Sequence, residues 1–174
     1  MTEWVALLRG VNVGGITIRS AELREMLAAT GLDDVRTFLA SGNAAFRSPR
    51  GREDLKPAIE AALRERFGYD AWIVLVTRSD IEKAIASFPF DADDADRQPW
   101  VIFCVDDATR DELVDVALPL DADVDPVAAG PGVVYWNPAK GSSTDTAFAK
   151  IVARTTYKAR TTNRNLRTLK KIVA

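Results

Sequence analysis

Hydrophobic periodicity in the first 78 residues changes in an order that few folds accept. Glu3 to Arg9 is an apolar run that stops at Gly10, which reads as a buried strand. Ser20 is placed to cap a helix with Leu23, Met26 and Leu27 at helical spacing and Gly31 past its end. Val35 to Ala40 and Ala44 to Arg47 read as two strands joined around Ser41-Gly42-Asn43, a hairpin signal. Arg52 to Phe67 reads as a second helix, closed by Gly68, and Ala71 to Thr77 as a fourth strand. Strand-helix-strand-strand-helix-strand is the ferredoxin-like pattern.

The second half repeats most of that order. Ser79-Asp80-Ile81-Glu82 has the form of a capping box and opens a short helix to about Phe88. Pro89 to Pro99 is an acidic loop whose D-A-D-D-A-D run lacks the glycine and distal glutamate of a calcium loop. Trp100–Val105 reads as a strand, Ala108–Ala117 as a helix, and Val124–Ala128 and Val133–Trp136 as strands. Thr144–Ala153 and Asn163–Val173 read as the last helices. The expected architecture is therefore α+β, with two adjoining ferredoxin-like halves and mainly antiparallel sheets, divided as residues 1–78 and 79–174.

Composition removes several chemistries. The chain has no histidine, which excludes Ser-His, Cys-His and His-metal mechanisms together. The single Cys104 lies in an apolar strand, so an intramolecular disulfide is excluded and a reducing compartment fits. No metal or cofactor is called for, and no catalytic motif marks an enzyme. There is no signal-peptide pattern and no apolar run of the ~18 residues a span needs, so the expectation is a cytoplasmic protein without a membrane partner. Oligomeric state leaves no trace in the sequence.

Charge is divided unevenly. Residues 1–145 carry 15 Lys and Arg against 25 Asp and Glu, whereas residues 146–174 carry eight cations and no acid. Such a segment either meets an anionic partner, nucleic acid among them, or packs on its own acidic body.

Two places could hold an anion. In a ferredoxin-like unit the end of the first strand shares a sheet edge with the end of the second and the start of the third. That edge would gather Arg9, Ser41 and Asn43 beneath the Gly10–Gly15 loop with Asn12, Gly14 and Gly15. A guanidinium fork, short polar side chains and glycine-exposed backbone N–H groups suit a phosphate or carboxylate. The alternative is hairpin and turn chemistry with a structural Arg9. The second place is the last helix, where Thr162 would cap a first turn holding Asn163, Arg164 and Asn165, with Arg164, Arg167 and Lys171 on one face.

Leu7-Leu8-Arg9-Gly10-Val11-Asn12-Val13-Gly14-Gly15, Ala21-Glu22-Leu23, Val35-Arg36-Thr37, Ser41-Gly42-Asn43 and Thr162-Asn163-Arg164-Asn165 together resemble a widespread bacterial family, domain of unknown function 1697. The resemblance implies two ferredoxin-like halves and no established activity. Family lysines and a proline after the paired glycines are replaced here by Ile16-Thr17-Ile18-Arg19, and a tryptophan after the late Arg-Asn pair by Leu166. A late Ser-Lys pair has no counterpart in Gly141-Ser142-Ser143-Thr144-Asp145. Arg9, Asn12, Ser41, Asn43, Arg164 and Asn165 match the family motifs.

The expected function is a binding domain for a small phosphorylated or anionic ligand, such as a nucleotide. The alternative is a nucleic-acid-binding module using the basic C-terminal segment. Against the latter, an RNA-recognition sheet needs two or three exposed aromatics, and Ala44-Ala45-Phe46-Arg47 offers one.

Overall fold

A computed structural model describes residues 1–10, 17–38, 42–68 and 70–174. The chain divides into two compact units, Met1–Arg78 and Ser79–Val173. In the first, the elements run β1 (Thr2–Arg9), α1 (Ser20–Ala29), β2 (Asp33–Phe38), β3 (Asn43–Ser48), α2 (Arg52–Phe67) and β4 (Trp72–Thr77). The sheet order is β2-β3-β1-β4, with every neighbouring pair antiparallel. This is the ferredoxin-like arrangement.

Alternation in β1 sends Trp4, Ala6 and Leu8 toward the helices, into a core with Leu23, Leu27, Phe46, Leu55, Ile59 and Leu63. Val5, Leu7, Ala45 and Val74, on the other face, are also buried. Burial on both faces explains why β1 is continuously apolar and not alternating. Each buried leucine contributes roughly 1.5–3 kcal/mol.

The second unit contains α3 (Arg78–Ala86, which begins at the boundary), β5 (Trp100–Cys104), α4 (Asp107–Ala117), β6 (Val127–Gly130), β7 (Val133–Trp136), α5 (Ala147–Val152), β8 (Thr161–Asn165) and α6 (Leu166–Val173). Its sheet order is β6-β7-β5-β8, again antiparallel. The two units are therefore the same topology written twice.

The registers coincide residue by residue. Trp4 pairs with Phe46 and Thr77, and Trp100 pairs with Trp136 and Asn165. The hairpin bond from Leu8 N–H to Gly42 O, 3.0 Å, has its counterpart from Cys104 N–H to Gly132 O, 3.1 Å. By this register Arg9 corresponds to Val105 and Trp72 to Arg160, whose carbonyl accepts the Val105 N–H at 3.0 Å.

Helix starts differ from the sequence expectation at several places, and α5 begins at Ala147 behind its cap Thr146 and not at Thr144. Arg19 occupies the N-cap of α1, so Ser20 is its first helical residue and caps nothing. Helix α3 begins at Arg78, directly after β4, which puts Ser79 inside the first turn and not at a capping box. The largest difference is at the C-terminus, where Thr161–Asn165 is a strand and the helix starts only at Leu166. Thr161 and Thr162 are buried, and pairing with β5 satisfies a ladder that a helical turn here would leave open. The cap falls at Asn165, whose Oδ1 accepts the Arg167 N–H at 2.9 Å.

Strand β4 lies at a sheet edge, and α2 seals it. Arg52 Nε donates to Leu75 O (2.9 Å), Lys56 Nζ to Ile73 O (3.0 Å) and Arg64 Nη2 to Ala71 O (3.0 Å). Glu60 Oε2 accepts the Ile73 N–H at 3.1 Å and the Lys56 ammonium at 2.9 Å. These four side chains recur every fourth residue along one helix face and act as a surrogate strand for the edge groups that no strand pairs.

Candidate anion-binding site

The end of β1 brings together what the topology demands. Leu7 pairs with Asn43 on one side, and Arg9 pairs with Trp72 on the other. Asn43 also pairs with Phe38 at the end of β2. Arg9, Gly42 and Asn43 thus share one end of the sheet. Gly10, immediately beyond, has φ +75°, a left-handed conformation that favours glycine.

Arg9 shares its sheet face with Val5 and Leu7, away from α1 and α2. Burial holds its pKa below the ordinary arginine value. The cause is desolvation, which disfavours the charged form. Asn43 is buried, and its Nδ2 donates to Phe38 O at 3.2 Å, so part of its hydrogen-bonding capacity holds the hairpin closed. Asn12, Gly14, Gly15 and Ser41 lie outside the described residues.

The same position in the second unit is built differently. Between β1 and α1 the connection is residues 10–19, whereas between β5 and α4 it is only Val105 and Asp106. Asp106 caps α4 directly, its Oδ1 accepting from Thr109 N at 2.8 Å and Thr109 Oγ1 at 2.6 Å. Those bonds hold the Asp106 carboxyl below the usual aspartate range. Beside it Arg160 donates to Thr109 Oγ1 (3.1 Å) and pairs with Glu112 (2.8 Å), which also accepts the Tyr157 hydroxyl at 3.1 Å. The second copy is closed by its own side chains.

Nothing local in the sequence marked that network, because Arg160 lies far along the chain from Thr109 and Glu112. It also disposes of part of the basic segment. Arg160 is committed to Glu112, and Arg164 Nη1 donates to Thr162 Oγ1 (2.7 Å) and Asn163 O (2.8 Å). Burial pushes the Arg164 pKa down to about 10. Arg164 therefore stands on a strand of the second unit and not in a helical first turn, while Asn165, the last residue of that strand, caps α6. Lys150, Arg154, Arg167, Lys170 and Lys171 remain exposed.

The acidic loop folds on itself. Asp91 Oδ1 accepts the Asp93 N–H and Asp94 Oδ1 the Asp96 N–H, both at 2.9 Å. Cys104 is buried, which pushes its thiol up to about 12, far from a reactive thiolate. Among the described residues no helix is long and apolar enough to cross a membrane.

Fold and registers define a duplicated ferredoxin-like α+β protein whose first copy alone carries the long connection beside a half-buried arginine. The chain matches the family model described as "Protein of unknown function (DUF1697)" over residues 1–135 and belongs to that family. It is also similar to the solved structure of the conserved bacterial protein SP0830 from Streptococcus pneumoniae. That likeness has a TM-score of 0.82 at 24% identity and covers 99% of this chain and 97% of the other, and it speaks to the fold. No curated protein sequence matches this one.

Proposed function

We infer that the protein binds a small anionic, phosphate-bearing ligand at the end of β1, with Arg9 as its charged contact. The observation that carries this reading is the asymmetry of the duplication. At equivalent positions one unit has a two-residue connection closed by Asp106, and the other a ten-residue connection leaving from Arg9 through a left-handed glycine. Long connections at one end of a rigid sheet are where binding residues concentrate. The Asn12, Gly14, Gly15 and Ser41 contacts form part of the proposal, and Arg164 and Asn165 belong to it only as independent candidates on β8. The protein acts as a binding module in the cytoplasm, with no chemistry assigned to it.

Binding of nucleic acid through the basic C-terminal segment is the weaker reading, and no RNA-recognition sheet supports it among the described residues of the first unit. Phe46, the aromatic that could have served it, is buried among the helices of the first unit.

A thermal-shift screen against nucleotides, sugar phosphates, short RNA and short DNA at two salt concentrations tests the function. A ligand at 100 times its Kd adds about 2.7 kcal/mol. A salt-tolerant rise with one small phosphate compound supports the reading. A rise only with nucleic acid, fading with salt, replaces it with the exposed C-terminal cations. No rise with any of them overturns both.

A further inference from the structure

A second charged site lies at the opposite end of β1. There the edge strand β2 carries a bulge. Asp33 pairs with Arg47 and Arg36 with Ala45, so three steps along β2 match two along β3. Asp34 is among the extra residues, and its φ of +50° is the only left-handed value among the described non-glycine residues. Bulges re-aim side chains, and strained residues of this kind collect at ligand sites. Beside the bulge is a groove of about 610 Å³ lined by Met1, Glu3, Asp34, Val35, Arg36 and Arg47.

The two arginines of the groove are held unequally, Arg36 by a short charge-assisted bond to Glu3 and Arg47 by a long contact to Asp34. Arg36 and Arg47 are diagonal neighbours on one sheet face, and both guanidinium groups are half-exposed. Arg47 reaches Asp34 only at 3.7 Å, while Arg36 and, at 3.6 Å, Arg78 both approach Glu3 Oε1. The carboxylates of Asp34 and Glu3 therefore sit where an external anion would sit. The Arg47–Asp34 pair, exposed on both sides, contributes little and is exchanged cheaply.

We propose that this groove is a phosphoryl-binding site, in which the two forks of Arg36 and Arg47 take a doubly charged phosphate that displaces two internal competitors, Glu3 from Arg36 and Asp34 from Arg47. Two diagonal forks can engage several oxygens of one tetrahedral dianion, which a singly charged carboxylate cannot match. The site is independent of Arg9.

The test is a titration of the 15N-labelled full chain with inorganic phosphate, against sodium chloride of equal ionic strength, read at backbone amides. Saturable shifts at Val35, Arg36 and Arg47 are expected, with affinity falling about tenfold or more in Arg47→Gln as a charge-assisted fork is lost. Asp34→Asn removes the competitor at Arg47 yet keeps a residue that tolerates the left-handed conformation, so it should bind several-fold more tightly. A purely structural Asp34 would give no such gain. Shifts no larger than with chloride, or unchanged affinity in both variants, overturn the proposal. Shifts confined to Gly10 and Asn43 overturn it as well, while supporting the Arg9 reading.

Discussion

Glu60 accepts the backbone N–H of Ile73 at 3.1 Å while its carboxylate is itself paired to Lys56 at 2.9 Å. A helix side chain thus stands where the carbonyl of a neighbouring strand would accept. Glu60→Ala leaves a buried N–H without its acceptor, which costs about 1–3 kcal/mol. Chemical denaturation measures it. Glu65→Ala, on the exposed side of the same helix, should change stability by no more than about 0.5 kcal/mol. Equal losses in both would contradict the edge-sealing role.

Gly130 closes against Tyr135. A Cβ at position 130 would lie 2.3 Å from the Tyr135 ring, which is buried and tied through its hydroxyl to Ala84 O at 2.6 Å. Gly130→Ala should cost about 1–3 kcal/mol through overpacking, read as a lowered denaturation midpoint. Tyr135→Phe should cost about 1 kcal/mol, the net worth of one hydrogen bond. A neutral Gly130→Ala would mean that the ring moves freely.

Asp106 gives a pH dependence with a definite sign. Its folded pKa lies below the unfolded value of about 3.9, because the charged form accepts two bonds from Thr109. The stabilisation is therefore complete above that unfolded value and is lost as pH falls through the folded pKa. Asp106→Asn should flatten this acid limb in a urea-denaturation series below pH 4.5, about half a unit above the unfolded pKa. Asp106→Ala should also cost roughly 0.5–2 kcal/mol at neutral pH, as a lost helix cap does. An unchanged acid limb in Asp106→Asn would contradict the assignment.

Cys104, with its thiol pushed up to about 12 by burial, should react with a thiol reagent at pH 8 only as fast as the second unit opens. Labelling should accelerate in step with denaturant. Immediate labelling of the native protein would show that the thiol is reachable in the folded state.

Much of the first unit was legible because its signals are local. The second helix agrees at both ends, and Gly68 adopts the left-handed cap its position implies, with φ +68°. Strand β8 was not legible, since Thr161–Asn165 is held by β5 and not by its own neighbours. Its Thr-Asn-Arg-Asn string has the composition of a helix cap, yet only Asn165 caps a helix, and pairing with the partner strand takes the rest. The spacing of Arg52, Lys56, Glu60 and Arg64 was visible as a charged face, but its purpose required the position of β4. At the site, strand order placed Arg9 and Asn43 at one sheet end correctly, whereas the closed counterpart around Arg160 depends on contacts between distant segments.

The most direct measurement compares the wild type and Arg9→Gln in the thermal-shift screen, using the phosphate compound that gives the largest rise. The expected result is an unliganded Tm within a few degrees of the wild type and loss of most of the ligand-induced rise. An Arg9→Gln protein that is destabilised without ligand yet keeps the full rise would make Arg9 a structural residue and contradict the proposed site.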